Sequence, residues 1–206
     1  MNEIYIGRLL RANTRTCVVG CQINQLPPPF GSLIGIPLDE ELKAYALITD
    51  VHIDDDGLVR QLSVADNVAE EVIADNRINR NIPIELSAIF VGYTKEGNIS
   101  HLLPPRPPLS LDKIFLCDGE ETCRFTSDGQ LGYLRHILGA ENISIPDLLA
   151  AHLVQAGKAH QKIDGGSWLQ SALQEVITLL RDDYKTLSAV LIAIADAFPE
   201  FSTNVV

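Results

Sequence analysis

Residues 45–53 read Tyr45-Ala46-Leu47-Ile48-Thr49-Asp50-Val51-His52-Ile53. Tyr45, Leu47, Thr49, Val51 and Ile53 recur at every second position, and most are aromatic or β-branched. The stretch is therefore expected to be a β-strand with these side chains on one face. Asp54-Asp55-Asp56-Gly57 follows; an Asp-Gly pair tolerates the positive φ angles of a tight hairpin turn. Residues 58–62 then read as the returning strand. Towards the N-terminus, residues 32–38 make a strand that ends in the turn Asp39-Glu40-Glu41. Before it, Gln25-Leu26-Pro27-Pro28-Pro29-Phe30-Gly31 is a loop, because prolines cannot donate to a sheet ladder. Strands at 4–6 and 14–23 open the chain.

Towards the C-terminus, Ser63 reads as the cap of a helix ending near Asp75-Asn76. Val64, Val68 and Val72 recur at four-residue spacing there, as do Ala65, Ala69 and Ile73. Residues 82–93 return to strand, Lys95-Glu96-Gly97-Asn98 is a turn, and strands follow at 99–103 and 112–117. Between these last two, Pro104-Pro105-Arg106-Pro107-Pro108 must be extended. After Thr126 the apolar period changes to about 3.6. Helices are expected over 128–138; from Ser144, with Leu148, Leu149, His152 and Leu153 on one face; from Ser167, through Leu169, Leu173, Val176, Ile177 and Leu180; and over 184–198. Gly165-Gly166 breaks the second from the third. The last carries Leu187, Val190, Leu191 and Ile194 with Ala189, Ala193 and Ala195, and is apolar almost all round, which predicts burial on more than one side. The organisation is α+β, with a β section over 1–127 and a helical subdomain over 128–206.

The chain has 206 residues, 46% hydrophobic and 21% charged, long enough to bury a core without disulfides or a structural metal. No apolar run approaches the ~18 residues of a membrane span. The first residues carry Glu3 early and lack a long apolar core, so no secretory signal is expected and the cytoplasm is the expected location. Lys and Arg number 16 against 27 Asp and Glu, a net charge of -11. Both sections are acidic, a field that repels nucleic acid and anionic membranes. Aromatics are only 6% and are not interleaved with basic residues, which argues against a base-stacking platform. Neither cysteine pair, Cys17/Cys21 or Cys117/Cys123, has the two-residue gap of a zinc knuckle. On a strand Cys17 and Cys21 would lie roughly 13 Å apart, too far for a disulfide. All four are expected to be reduced, buried and apolar in character.

Motifs for phosphate loops, dinucleotides, zinc proteases and serine hydrolases are absent, and nothing calls for a cofactor. The densest set of possible metal ligands is Asp50, His52 and Asp54, alternating on one strand face beside Asp55 and Asp56. Hard cations favour such oxygens, although a calcium loop would need an acid where Ala65 stands. The proline run around Arg106 reads either as a ligand for a proline-binding groove, through Pro104, Pro105, Pro107 and Pro108, or as a stiff crossing with Arg106 on a partner or a nearby acid.

Several positions together are familiar: Ile6-Gly7, then Gly31-Ser32-Leu33-Ile34, the strand from Tyr45 to Val51, and Val91-Gly92-Tyr93 with a proline-rich exit. This pattern resembles the HAS barrel, the small β-barrel of HerA-type DNA-processing ATPases and rotary ATP synthase subunits, over about residues 2–125. The resemblance implies a small N-terminal β-barrel, followed here by a C-terminal helical subdomain. It implies a role in subunit assembly and docking, and a protein partner such as a separate ATPase or nuclease. The motor itself is not implied, because the RecA-like core and its phosphate loop are missing. The leading expectation is thus a non-enzymatic interaction or assembly module. It is expected to form a homo-oligomer, with Leu191 in the contact. The alternatives are a metal-dependent hydrolase using Asp50, His52 and Asp54, and a nucleic-acid-binding accessory protein using Arg8, Arg11 and Arg15.

Overall fold

A computed structural model describes residues 4–21, 26–54, 57–79, 82–163 and 167–198. Strands β1 (Ile4–Ala12), β2 (Thr16–Cys21), β3 (Leu33–Pro37), β4 (Leu42–His52), β5 (Glu85–Lys95), β6 (Asn98–Ser100) and β7 (Lys113–Leu116) form one sheet. Its order is β2-β1-β7-β3-β4-β5-β6, and β2 also pairs with β5. That extra pairing closes six strands into a barrel, with β6 appended to β5 through a turn in which Glu96 and Gly97 both have positive φ. Closure leaves none of the six with a free edge along its paired length. The α+β class and the barrel-then-helices order are as the sequence led us to expect.

Alternation sorts the barrel side chains into two cores. Ala44, Ala46 and Ile48 of β4 join Leu86, Ala88 and Phe90 of β5, Val19 and Ile114 inside the barrel. Tyr45, Leu47, Ile89 and Val91 point outward, into a second core shared with the helices. This is why the middle of β4 is apolar on both faces. A register shift between Ile48 and Asp50 resets the alternation. Val51 therefore packs against the barrel interior, opposite to Tyr45 and Leu47, and not beside them as a strict two-residue period requires.

Residues 58–62 are not a returning strand. They form α1 (Leu58–Val64), followed by α2 (Glu70–Ile78). On one edge of β4, β5 pairs as far as His52, and on the other the β3 pairing stops at Leu47; residues 58–62 do not extend that second edge, and Leu, Arg and Gln are good helix formers. The single helix expected from Ser63 is in fact two: α1 ends at Val64 and Asn67 adopts φ 61° between them. Asp55, Asp56 and the Gly165-Gly166 break lie outside the described residues.

Helix α3 (Gly119–Ser127) was not expected. Its cap is Asp118, whose carboxylate accepts from the Glu121 amide at 2.8 Å; Asp-x-x-Glu is a helix-start signature. The helix expected over 128–138 reduces to a 3-10 turn at Gly129–Leu131 and a short α4 (Leu134–Leu138). Helices α5 (Ile145–Ile163), α6 (Ser167–Leu179) and α7 (Tyr184–Ala197) follow the sequence reading closely. Helix α3 lies on the barrel wall where Gly92 makes room: a Cβ there would sit 2.8 Å from Phe125 Cε2 and 2.6 Å from the Ser100 carbonyl oxygen. Helix α5 approaches the wall at Gly31, whose φ of 81° and contact with the α5 backbone exclude a side chain.

Candidate functional site

The acidic candidates stand at the end of β4. Asp50 follows the bulge, His52 closes the strand and Asp54 lies beyond it; all three side chains are exposed. His52 Nε2 is 3.1 Å from Asp54 Oδ1. Among the described residues no three His, Cys, Asp or Glu side chains are grouped to hold a metal.

The proline run is a crossing that closes one end of the barrel. Pro104 and Pro108 are buried, while Pro105 and Pro107 are not. Leu103 packs against the barrel interior together with Leu38. Arg106 donates to the Leu38 carbonyl at 2.9 Å and to Asp39 Oδ2 at 3.0 Å. Backbone amides, Glu41 first, and the guanidinium hold the Asp39 carboxyl below the usual range. Of the two partners the sequence allowed for Arg106, the nearby acid is the one in contact. Leu102, Leu109 and Leu111 remain exposed around this crossing.

The seam between barrel and helices carries most of the buried polar chemistry. Lys43 Nζ and Glu121 Oε1 are 2.5 Å apart, with 17% and 11% of their side chains exposed. Tyr45 Oη donates to the same carboxylate oxygen at 2.9 Å. Burial, and then the Glu121 charge, push the Tyr45 phenol up. His152 Nδ1 donates to the Gly31 carbonyl at 3.2 Å, and Nε2 lies 3.0 Å from Tyr133 Oη. A carbonyl can only accept, so the proton is on Nδ1 and the neutral ring accepts from Tyr133. Burial brings this imidazole down to about 4. His101 donates through Nε2 to the Phe125 carbonyl at 3.1 Å, and its Nδ1 meets no partner among the described residues. The His101 carbonyl accepts from Arg135 and, at 2.8 Å, from His136 Nε2. His160 stacks on Trp168 at 4.4 Å and 2° and lies 2.8 Å from Thr126 Oγ1.

Sequence reasoning assigned His152 to an apolar helix face, where it is, but not the seam it belongs to. Its partners are 19 and 121 positions away, a separation no local pattern reports. The thiols are as expected: all four are free and buried. Burial raises Cys17 to about 12 and Cys21 to about 11. It also lifts Cys117 well above a free thiol, with Glu121 next in effect. Such thiols are poor nucleophiles at neutral pH.

A broad cleft of about 1110 Å³ runs between β2, β4 and β5 and the connection from α4 to α5. Its charged lining mixes both signs, with Arg15 and Arg135 against Asp50, Glu141 and Asp147. No single ligand charge is favoured by such a mixture.

Two further surfaces among the described residues display exposed apolar side chains. Between β4 and β5, no residue from Gly57 to Arg77 is buried; Leu58, Val64 and Val72 are exposed, Val64 by 83%. On α7, Val190 and Ile194 are buried while Leu191 and Ile192 are exposed. Within one chain α7 is therefore covered on one side, not on several as its composition suggested. Among the described residues no helix is long and apolar enough to cross a membrane. No model of a known protein family matches the chain, and no curated protein matches it either.

Proposed function

We propose that this chain is a non-enzymatic cytoplasmic assembly module of the HAS-barrel type, which docks a protein partner such as a separate ATPase or nuclease. The observation that carries this reading is the α1–α2 arm. The barrel closes without it, since β4 and β5 pair directly. Yet the chain leaves the barrel between His52 and Glu85 and presents Leu58, Val64 and Val72 to solvent. Such a display has a thermodynamic cost unless something covers it. The polar groups of the seam support the same reading. The buried His152 is spent on holding α5 to the barrel and the Cys17 and Cys21 thiols on filling the barrel interior, in environments that suppress proton transfer and nucleophilic attack.

The test is cross-linking and affinity capture from the native cell extract with the wild-type chain and with Val64→Asp/Val72→Asp. Both positions are exposed, so the circular dichroism and melting temperature of the variant are expected to match wild type. The expected result is one ATPase or nuclease subunit, recovered with wild type and lost with the variant. Recovery that is insensitive to the arm would refute the arm as the docking element. Saturable turnover or a magnesium-dependent stabilisation by ATP would refute the non-enzymatic reading.

A further inference from the structure

Helix α7 has a self-complementary outer stripe. Lys185, Ala189, Ile192 and Asp196 follow one another at spacings of four, three and four, which places them in one row along a helix. All four are exposed, Ile192 by 61%. The opposite row, with Val190 and Ile194, is the side that packs within the chain, against α5. Leu191 and Ala195 widen the exposed row, and between Lys185 and Asp196 the helix has no charged residue at all. An exposed helical surface normally carries charges throughout its length.

The positions of the two charges are informative. Lys185 is in the first turn and Asp196 in the last, the reverse of what the helix dipole favours. Lys185 has Asp183 nearby, which is already engaged in capping Thr186. Two copies of α7 laid antiparallel about a two-fold axis remove this conflict. Each Lys185 then faces the partner's Asp196 and the negative end of the partner helix. Each Asp196 faces the partner's Lys185 and the positive end. In the same register each Ile192 meets the partner's Ala189, a large side chain against a small one, as close helix packing requires. The four-three-four spacing is the same in both directions and each residue meets its complement, so the row is self-complementary, which is the condition for an isologous contact.

We infer that α7 is a homodimer contact in which the row Lys185–Ala189–Ile192–Asp196 pairs antiparallel with the same row of a second copy. This deepens the assembly reading by naming one occupant, and it uses a face distinct from the α1–α2 arm. A single helix face covers roughly half of the ~800 Å² per partner of a standard interface, so a micromolar dimer is expected.

Sedimentation velocity from about 1 to 100 µM, a range that brackets such an affinity, should show reversible conversion to twice the 22.6 kDa monomer. Lys185→Glu and Asp196→Lys should each weaken the dimer by roughly tenfold or more, because each turns both charge pairs into like pairs. An equimolar mixture of the two variants should recover wild-type affinity as a heterodimer. In that mixed dimer one charge pair keeps its native signs and the other has them exchanged, so both pairs are again opposite. That rescue is not expected of any register other than the antiparallel one. Ile192→Asp should give a monomer with unchanged circular dichroism and melting temperature. A chain that stays monomeric throughout the range overturns the inference, and leaves arm-dependent capture of a different protein intact. A dimer that survives Ile192→Asp, or charge variants that do not rescue each other, overturns it too. Loss of the dimer in Val72→Asp alone would place self-contact on the arm and likewise overturn it.

Discussion

Removing the Glu121 carboxylate would leave the Lys43 ammonium and the Tyr45 hydroxyl without the acceptor they share. Breaking a fully buried pair costs roughly 3–5 kcal/mol. Here both side chains keep some solvent, 17% and 11%, so Glu121→Ala is expected to destabilise by about 2 kcal/mol. Urea unfolding reads this directly: the midpoint should fall with the m-value unchanged. An unmoved midpoint would mean that the pair does not fasten α3 to the wall. Nothing in the sequence joins Lys43 to Glu121, which are 78 positions apart; their meeting depends on the β4 register and on the position of α3. Gly92 differs in this respect. It stood out in the sequence as part of Val91-Gly92-Tyr93, but the reason for it, the Phe125 ring lying on its backbone, needed the three-dimensional arrangement.

At the scale of elements, α5 was legible because one face repeats apolar residues with helical spacing, and Leu148, Leu149, His152 and Leu153 are indeed buried. The residues after Gly57 were misread because a turn signal and an apolar run are compatible with a hairpin anywhere. Which strand takes the edge of β4 is decided by pairing 30 or more positions away. Glu96-Gly97 makes a hairpin turn because β6 has a free edge of β5 to pair with. Gly57 has positive φ as well, 78°, yet leads into a helix. The seam helices also set a pH dependence. His152 is neutral when folded, with its value lowered from 6.5 to about 4 by burial. His101 and His136 are lowered in the same direction and chiefly by the same cause. Between about 6.5 and 4 the unfolded chain binds protons that the folded chain refuses, so stability is complete above that window and falls as pH falls through it. For His152 alone, 2.5 pH units correspond to about 3 kcal/mol at the acid end. Urea midpoints at pH 7.5, 5.5 and 4.5 should decline, and His152→Gln should flatten the decline. A wild-type profile that is flat over this window would show that the buried imidazole is accessible to protons after all.

For the whole molecule, the division at 127/128 falls after α3, where the helical part has already begun, and it does not divide the core. One apolar cluster contains Tyr45, Leu47 and Val91 from the barrel wall, Phe125 from α3, and Leu149, Leu153, Val190 and Ile194 from the later helices. Across the boundary, Trp168 donates to the Thr126 carbonyl at 3.1 Å, and Gln155 bonds to both Ser32 and Phe30. The barrel interior is sealed and dense, so in isolation it has a core of its own. Its outer wall under the helices is nonetheless apolar, and a monomer exposing so continuous a patch is prone to associate. A chain truncated after Ser127 is thus expected to be insoluble, or soluble only as aggregates that bind a hydrophobic dye. The full chain is expected to melt in a single transition by circular dichroism and by calorimetry, with van't Hoff and calorimetric enthalpies equal. Recovery of residues 1–127 as a monodisperse protein with its own sharp transition would refute the shared core. The helices would then be an attachment to a self-sufficient barrel, and the buried histidines a fastening between two separately stable parts.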